Sequence, residues 1–203
     1  MSAARAYRTH RRVNRSEQTH ERITSAVRNL LAEGTFHEST VAEVAERAGI
    51  SRATLYQHFR SRVDLVDAIC DTFAVNPALI EVRESVELAD PEAALAETIA
   101  HSVGFWSSED SILSQLYGVT AIDPAARDLV ERQREDRRGE MKRLARHLHA
   151  NGRLRSGMGQ RRATELLMVL TSYETFRELR HSGLTQRELT TALQDSGRSL
   201  LLK

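Results

Sequence analysis

Between residues 49 and 62 the sequence sets out polar side chains at a spacing suited to contact with nucleic acid. Arg52, Thr54, Gln57 and His58 follow a glycine, Gly49, and a helix-capping serine, Ser51. All four can donate to base edges or phosphates. Arginine carries the most information, because its planar fork pairs with O6 and N7 of guanine at roughly 1–3 kcal/mol of discrimination. Thr54 adds a methyl group that can meet the methyl of thymine. Thr40, at a helix start, is placed to take a phosphate on its hydroxyl and on free backbone N–H groups.

Such side chains need elements to hold them, and the surrounding pattern supplies two short helices. The first opens at Ser39 or Thr40, carries Val41, Val44, Ala45 and Ala48 on its apolar face, and closes at Gly49. The second is capped by Ser51 and carries Leu55, Tyr56 and Phe59. Ala45 is small enough for close packing, Gly49 permits the turn, and Ile50 and Leu55 fill the space between. This is the pattern of a helix-turn-helix, whose second helix enters the major groove. Ile23, Ala26, Val27, Leu30 and Leu31 predict a preceding helix from about Ser16 to Gly34. A following helix over residues 61–74 carries Val63, Leu65, Val66, Ile69 and Phe73.

The chain of 203 residues has 29 Lys+Arg against 28 Asp+Glu. That balance conceals a split. Residues 1–62 hold 11 Arg, no Lys and 6 Glu, a net of +5, and the remainder has a net of −4. A basic end joined to an acidic body suggests a nucleic-acid-binding part attached to something else. Residues 1–15, with five Arg and no acid, read as a disordered arm in which Arg8, Arg11, Arg12 and Arg15 can follow phosphates or enter a minor groove. Neither a secretory signal nor a membrane-spanning run is visible, and the lone Cys70 fits a reducing cytoplasm.

Residues 39–66, STVAEVAERAGISRATLYQHFRSRVDLV, resemble the DNA-binding domain of the TetR family of transcriptional repressors. The matching features are Thr40, Val44-Ala45, Ala48-Gly49-Ile50-Ser51, Thr54-Leu55-Tyr56, His58-Phe59, Ser61 and Leu65. Arg62 stands where the family commonly has Lys, Val63 where Glu is common and Ala53 where Gly is frequent. The resemblance implies an all-α fold, with a helix-turn-helix domain over residues 16–62 and a helical ligand-binding and dimerisation domain over 63–203. It implies DNA contact by Thr40, Ser51, Arg52, Ala53, Thr54, Tyr56, His58 and Arg62, the last three on the backbone. For Tyr56 core packing is an equal reading, and Phe59 reads as core.

Beyond residue 63 the pattern is helical throughout, without sheet. Asp90-Pro91 opens a helix to about Ser107, and a short apolar stretch, Ile112 to Val119, follows. Asp123-Pro124 opens another to Ala150, residues 161–181 read as one apolar helix, and Thr185 with Glu188 forms a capping box for the last. Candidate effector contacts are Phe73, Phe105, Trp106, Tyr117, Met141, Met168 and Tyr173, against the plain reading that they fill the core. Arg137, on a stripe with Met141, is a candidate for an anionic ligand. An ion pair with Asp128, Glu131, Glu135 or Glu140 is the preferred alternative. Phe176, Leu189, Leu193, Gly197 and Leu200 are candidate subunit contacts. No metal site, cofactor motif or nucleophile–base arrangement is visible, which points away from an enzyme. Together with these features, the resemblance implies a homodimeric, ligand-responsive repressor of a palindromic operator; the alternative is an architectural protein or activator that senses no ligand.

Overall fold

The computed structural model describes residues 3–122 and 124–203, with side chains for 16–119 and 124–203. Among the described residues ten α-helices follow one another: α1 (Ala3–Ala32), α2 (Val41–Arg47), α3 (Arg52–His58), α4 (Arg62–Ala74), α5 (Pro77–Ser85), α6 (Pro91–Ile122), α7 (Pro124–Ala150), α8 (Gln160–Leu170), α9 (Tyr173–His181) and α10 (Gln186–Leu201). Among the described residues the only β-pairing is the isolated bridge Leu154–Leu202, and no helix is long and apolar enough to cross a membrane. The chain divides into two compact units, Met1–Asp71 with Ser111–Arg127, and Thr72–Asp110 with Asp128–Lys203.

In the first unit the stripe Ile23, Ala26, Val27, Leu30 and Leu31 of α1 is buried, as are Phe36, Val44, Ala45, Leu55, Phe59, Leu65 and Ile69. Each large apolar side chain so buried contributes about 1.5–3 kcal/mol. Helix α1 starts at Ala3, not near Ser16, so residues 3–15 are helical where a disordered arm is expected. Their Ala and Arg are good helix formers, and neither Gly nor Pro interrupts the chain before Gly34. Extending an existing helix also avoids the cost of a new nucleus. The side chains of Arg8, Arg11, Arg12 and Arg15 lie outside the described residues.

Beyond α4 the chain differs from expectation in three helices. Helix α5 is a short element started by Asn76, whose side chain accepts from Ala78 N, with Pro77 at its first position. Helix α6 is continuous across residues 107–112, because no Gly or Pro stands there. Ser108 keeps its hydroxyl inside the helix by donating to Phe105 O at 2.9 Å, and Phe105, Glu109, Ile112 and Leu113 are buried along its length. The expected helix 161–181 is two helices. Ser172 caps α9 by accepting from Thr175 N, and this local bond outcompetes continuation of α8.

Arginines fasten several of the helix ends. Arg83 donates to Ala74 O at 3.1 Å, Arg155 to Ser199 O at 3.4 Å and Arg180 to Leu184 O at 3.1 Å. The capping box at Thr185 and Glu188 forms as the sequence predicts. The terminal residues return to the α7–α8 connection, where Arg155 N donates to Leu201 O at 2.8 Å and Lys203 N to Arg153 O at 3.2 Å.

Candidate nucleic-acid interface

Helices α2 and α3 are each only seven residues long, too short to stand alone in water. Their ends are therefore built with care. Thr40 caps α2 by accepting from Glu43 N, and Glu43 reaches back to Thr40 N at 2.9 Å. Gly49 takes φ +62° between the helices, a left-handed turn that a residue with a Cβ makes only at a cost. Ile50 N then closes the turn on Ala45 O at 2.9 Å. Ser51 caps α3, its hydroxyl accepting from Thr54 N and lying 2.8 Å from the Thr54 hydroxyl.

The burial of Leu55 and Phe59 fixes the rotation of α3. Arg52, Ala53, Tyr56 and Gln57 are then the exposed positions, two i,i+4 pairs on one helix face. Tyr56 is 54% exposed, which decides between its two readings in favour of the surface. Ser51 is exposed, and Thr54 and His58 are half-buried. The His58 ring lies 6.5 Å from that of His20, and His20 packs on Phe59 at 4.8 Å.

Two expected phosphate contacts differ in detail. The N–H of Thr40 is not free, since Glu43 accepts it. Arg62 does not extend outward. Its Nη1 donates to Ser39 O at 2.8 Å and its Nη2 to Phe36 O, and the guanidinium lies 4.0 Å above the Phe36 ring. Partial burial holds its pKa below the ordinary arginine value. A planar cation beside two carbonyls and an aromatic face finds better partners there than water. Asp64, nearby on α4, accepts from the Ser61 hydroxyl and from the Arg60 and Ser61 N–H groups. The Ser61 hydroxyl foremost, and then the Arg60 N–H, hold its carboxyl below the usual carboxylate range.

Three residues that sequence reading missed brace this unit. Arg22 of α1 donates to Gly49 O at 2.8 Å. Arg47 pairs with Glu33 at 2.7 Å, a hydrogen bond that lowers the Glu33 pKa. An open groove of about 510 Å³ is lined by Arg22, Ser25, Asn29, Arg47 and Gly49. Nothing in the periodicity of α1 marks Arg22, because its partner is a main-chain carbonyl 27 residues away.

The effector candidates occur in both units. Tyr117 belongs to the first unit and the other seven to the second. Phe73, Phe105, Trp106, Tyr173 and Phe176 form a continuous aromatic series with centroid spacings of 5.7, 4.8, 5.6 and 6.0 Å. Tyr173 Oη donates to Asp110 Oδ1 at 2.6 Å, and Trp106 Nε1 to Thr171 O at 3.0 Å. Met141 and Met168 are buried. Arg137 is half-buried, and its Nη1 donates to Met168 O at 3.0 Å and to the Thr171 hydroxyl at 3.2 Å. It therefore caps the C-terminus of α8, where a cation meets the negative end of the helix dipole. The expected neighbours were acids of its own helix, and the sequence holds no sign of this longer reach.

The candidate subunit contacts divide by their exposure in the single chain. Phe176, Leu189, Leu193 and Gly197 are buried within the chain itself, and a Cβ on Gly197 would stand 2.8 Å from Ile99 Cδ1. Helical spacing shows that another helix is met, not which chain supplies it. Leu200 is 41% exposed, and Val169 on α8 is 59% exposed.

Residues 23–69 match the domain described as bacterial regulatory proteins, tetR family. The uncharacterized HTH-type transcriptional regulator YdeS of Bacillus subtilis is 28% identical over 113 residues, 54% of this chain and 53% of that protein. The chain thus matches about half the length of this curated relative. Among solved structures, a SmeT–triclosan complex superposes with a TM-score of 0.73 at 17% identity, covering 91% of this chain and 92% of that one. A transcriptional regulator from Saccharomonospora viridis in complex with choline superposes at 0.72 with 20% identity, covering 92% and 99%. At these identities the likeness is one of fold.

Proposed function

We propose, for a chain that belongs through residues 23–69 to the TetR family of bacterial regulatory proteins, the action of a ligand-responsive transcriptional repressor. It binds a palindromic operator as a homodimer and releases it when a small molecule binds. The observation that carries the DNA-binding part is the outward face of α3, with Arg52, Ala53, Tyr56 and Gln57 exposed on a helix capped by Ser51 and seated by Leu55 and Phe59. That face fits a major groove, Arg52 reading a base edge and Tyr56 and His58 meeting the backbone. Thr40 contributes from the start of α2, and the helical extension of α1 brings a basic segment within reach of phosphates.

Homodimerisation is supported by Val169 and Leu200, large apolar side chains exposed on α8 and α10, two helices in contact. Effector sensing is supported by two similarly folded proteins that hold small molecules, triclosan in one and choline in the other. In this reading the second unit, with its aromatic series, binds the effector and shifts α4. Such a ligand acts only by binding the DNA-incompetent arrangement more tightly.

The test is selection of bound fragments from a random DNA pool at moderate salt, followed by a thermal-shift screen of small molecules. Enrichment of an imperfect palindrome, with release by any stabilising compound, is the expected result. Binding without sequence preference refutes the regulator reading. A preferred palindrome with no responsive compound favours an architectural protein or an activator without ligand sensing.

A further inference from the structure

We infer that Arg62 is a positioning residue of the DNA-reading unit: it fixes the N-terminus of α2 by gripping the α1–α2 loop, and it is not a phosphate contact. The inference rests on the DNA-binding reading above.

The peptide joining Ser39 to Thr40 leads into the N-cap of α2. Its carbonyl accepts from Arg62 Nη1 at 2.8 Å, and its N–H donates to Glu43 Oε2 at 2.9 Å. One peptide plane is thus held at both edges, from α4 on one side and from α2 on the other. The second guanidinium nitrogen donates to Phe36 O, which also accepts from the Ser39 hydroxyl at 2.8 Å and from Ser39 N at 3.2 Å. The Phe36 ring supports the guanidinium at 4.0 Å, and the ring is itself buried. Four contacts from outside therefore converge on residues 36–40 of the eight-residue loop between α1 and α2, and Arg62 supplies three of them. The other end of α2 is held in the same manner, by Arg22 on Gly49 O.

The geometry also excludes lysine as an equivalent. A single ammonium has no planar face to lay on Phe36 and no fork to span two carbonyls. A phosphate contact makes the opposite demand, since lysine serves it well as a point charge. The two roles therefore separate by substitution. A phosphate contact also appears in the salt dependence of binding, where each neutralised phosphate contributes about 0.9 to the slope of log K against log salt.

The experiment compares wild type, Arg62→Lys and Arg62→Ala in two measurements. Hydrogen exchange on the free protein follows amides 36–44, and operator binding is titrated against salt. A positioning role gives faster exchange in this segment, by about tenfold, in Arg62→Lys as well as Arg62→Ala. It also gives a comparable affinity loss for all operator sequences with the salt slope unchanged. Wild-type affinity and exchange in Arg62→Lys, with a slope reduced by about 0.9 per subunit in Arg62→Ala, overturn the inference. If Arg62→Ala does not fold, the lysine variant keeps the charge and both readouts decide on it alone. Absence of sequence preference in the wild type would instead remove the regulator reading, and the exchange measurement would still report the loop clamp.

Discussion

Replacing Gly49 by alanine tests how the turn between α2 and α3 is held. Gly49 has φ +62°, and a Cβ built there stands 2.6 Å from Arg22 Nη2. Gly34 is the natural control, since it lies in the same unit at φ +74° and among the described residues its Cβ would meet the Gln115 side chain, no nearer than an ordinary 3.6 Å. A left-handed conformation costs an L-residue about 1–2 kcal/mol, and the narrower unfolded ensemble of alanine offsets about 0.4–1 kcal/mol of that. Gly34→Ala should therefore destabilise the unit by about 1 kcal/mol. Gly49→Ala carries the same cost and also pushes the Arg22 guanidinium off Gly49 O. A solvent-exposed, charge-assisted hydrogen bond contributes about 1 kcal/mol after screening, so Gly49→Ala should cost about 2 kcal/mol. Urea unfolding of the two variants, alone and with Arg22→Met, closes a double-mutant cycle. The excess for Gly49 should vanish in the Arg22→Met background. Equal costs for the two glycines, or an excess that survives loss of Arg22, would refute the reasoning.

Three other outcomes follow from the structure. Arg52→Ala should relax preference at one base pair of the operator by about 1–3 kcal/mol while leaving the unfolding midpoint unchanged, as measured by binding to single-base operator variants. Thr171→Val removes a buried hydroxyl that accepts from Arg137 and donates to Leu167 O. It should cost about 1–2 kcal/mol in urea unfolding, and Thr171→Ser should recover most of it. Asp64 has its pKa lowered by the Ser61 hydroxyl and the Arg60 N–H, so its contribution is present above the usual carboxylate pKa and is lost as pH falls through the folded value. Wild type should accordingly exceed Asp64→Asn in stability at neutral pH, with the gap closing below about pH 4; a gap constant with pH would contradict this.

The helix-turn-helix was legible because its determinants are local. A left-handed glycine, a serine cap and buried residues at Leu55 and Phe59 lie within eleven residues, and each has one structural reading. The capping box at Thr185 was legible for the same reason. The features that escaped depend on partners far along the chain. Arg62 reaches back 26 residues to Phe36, and Arg137 forward 31 to Met168. The break at Thr171–Ser172 escaped because apolar periodicity runs through it while one serine hydroxyl redirects the backbone. Leu189, Leu193 and Gly197 showed that a seam existed, but what fills it at Gly197 comes from the same chain, Leu95 and Ile99 of α6 and Leu170 of α8.

The arginines that hold helix ends have a chemical corollary. Arg22, Arg62, Arg83, Arg137, Arg155 and Arg180 each donate to a main-chain carbonyl, and the chain has only two lysines, Lys142 and Lys203. Amine-directed acylation or crosslinking reagents therefore reach almost none of its cationic groups and leave these fastenings intact. Dicarbonyl reagents that condense with guanidinium groups act on the fastenings themselves, and on this protein they serve as probes of folding as much as of charge.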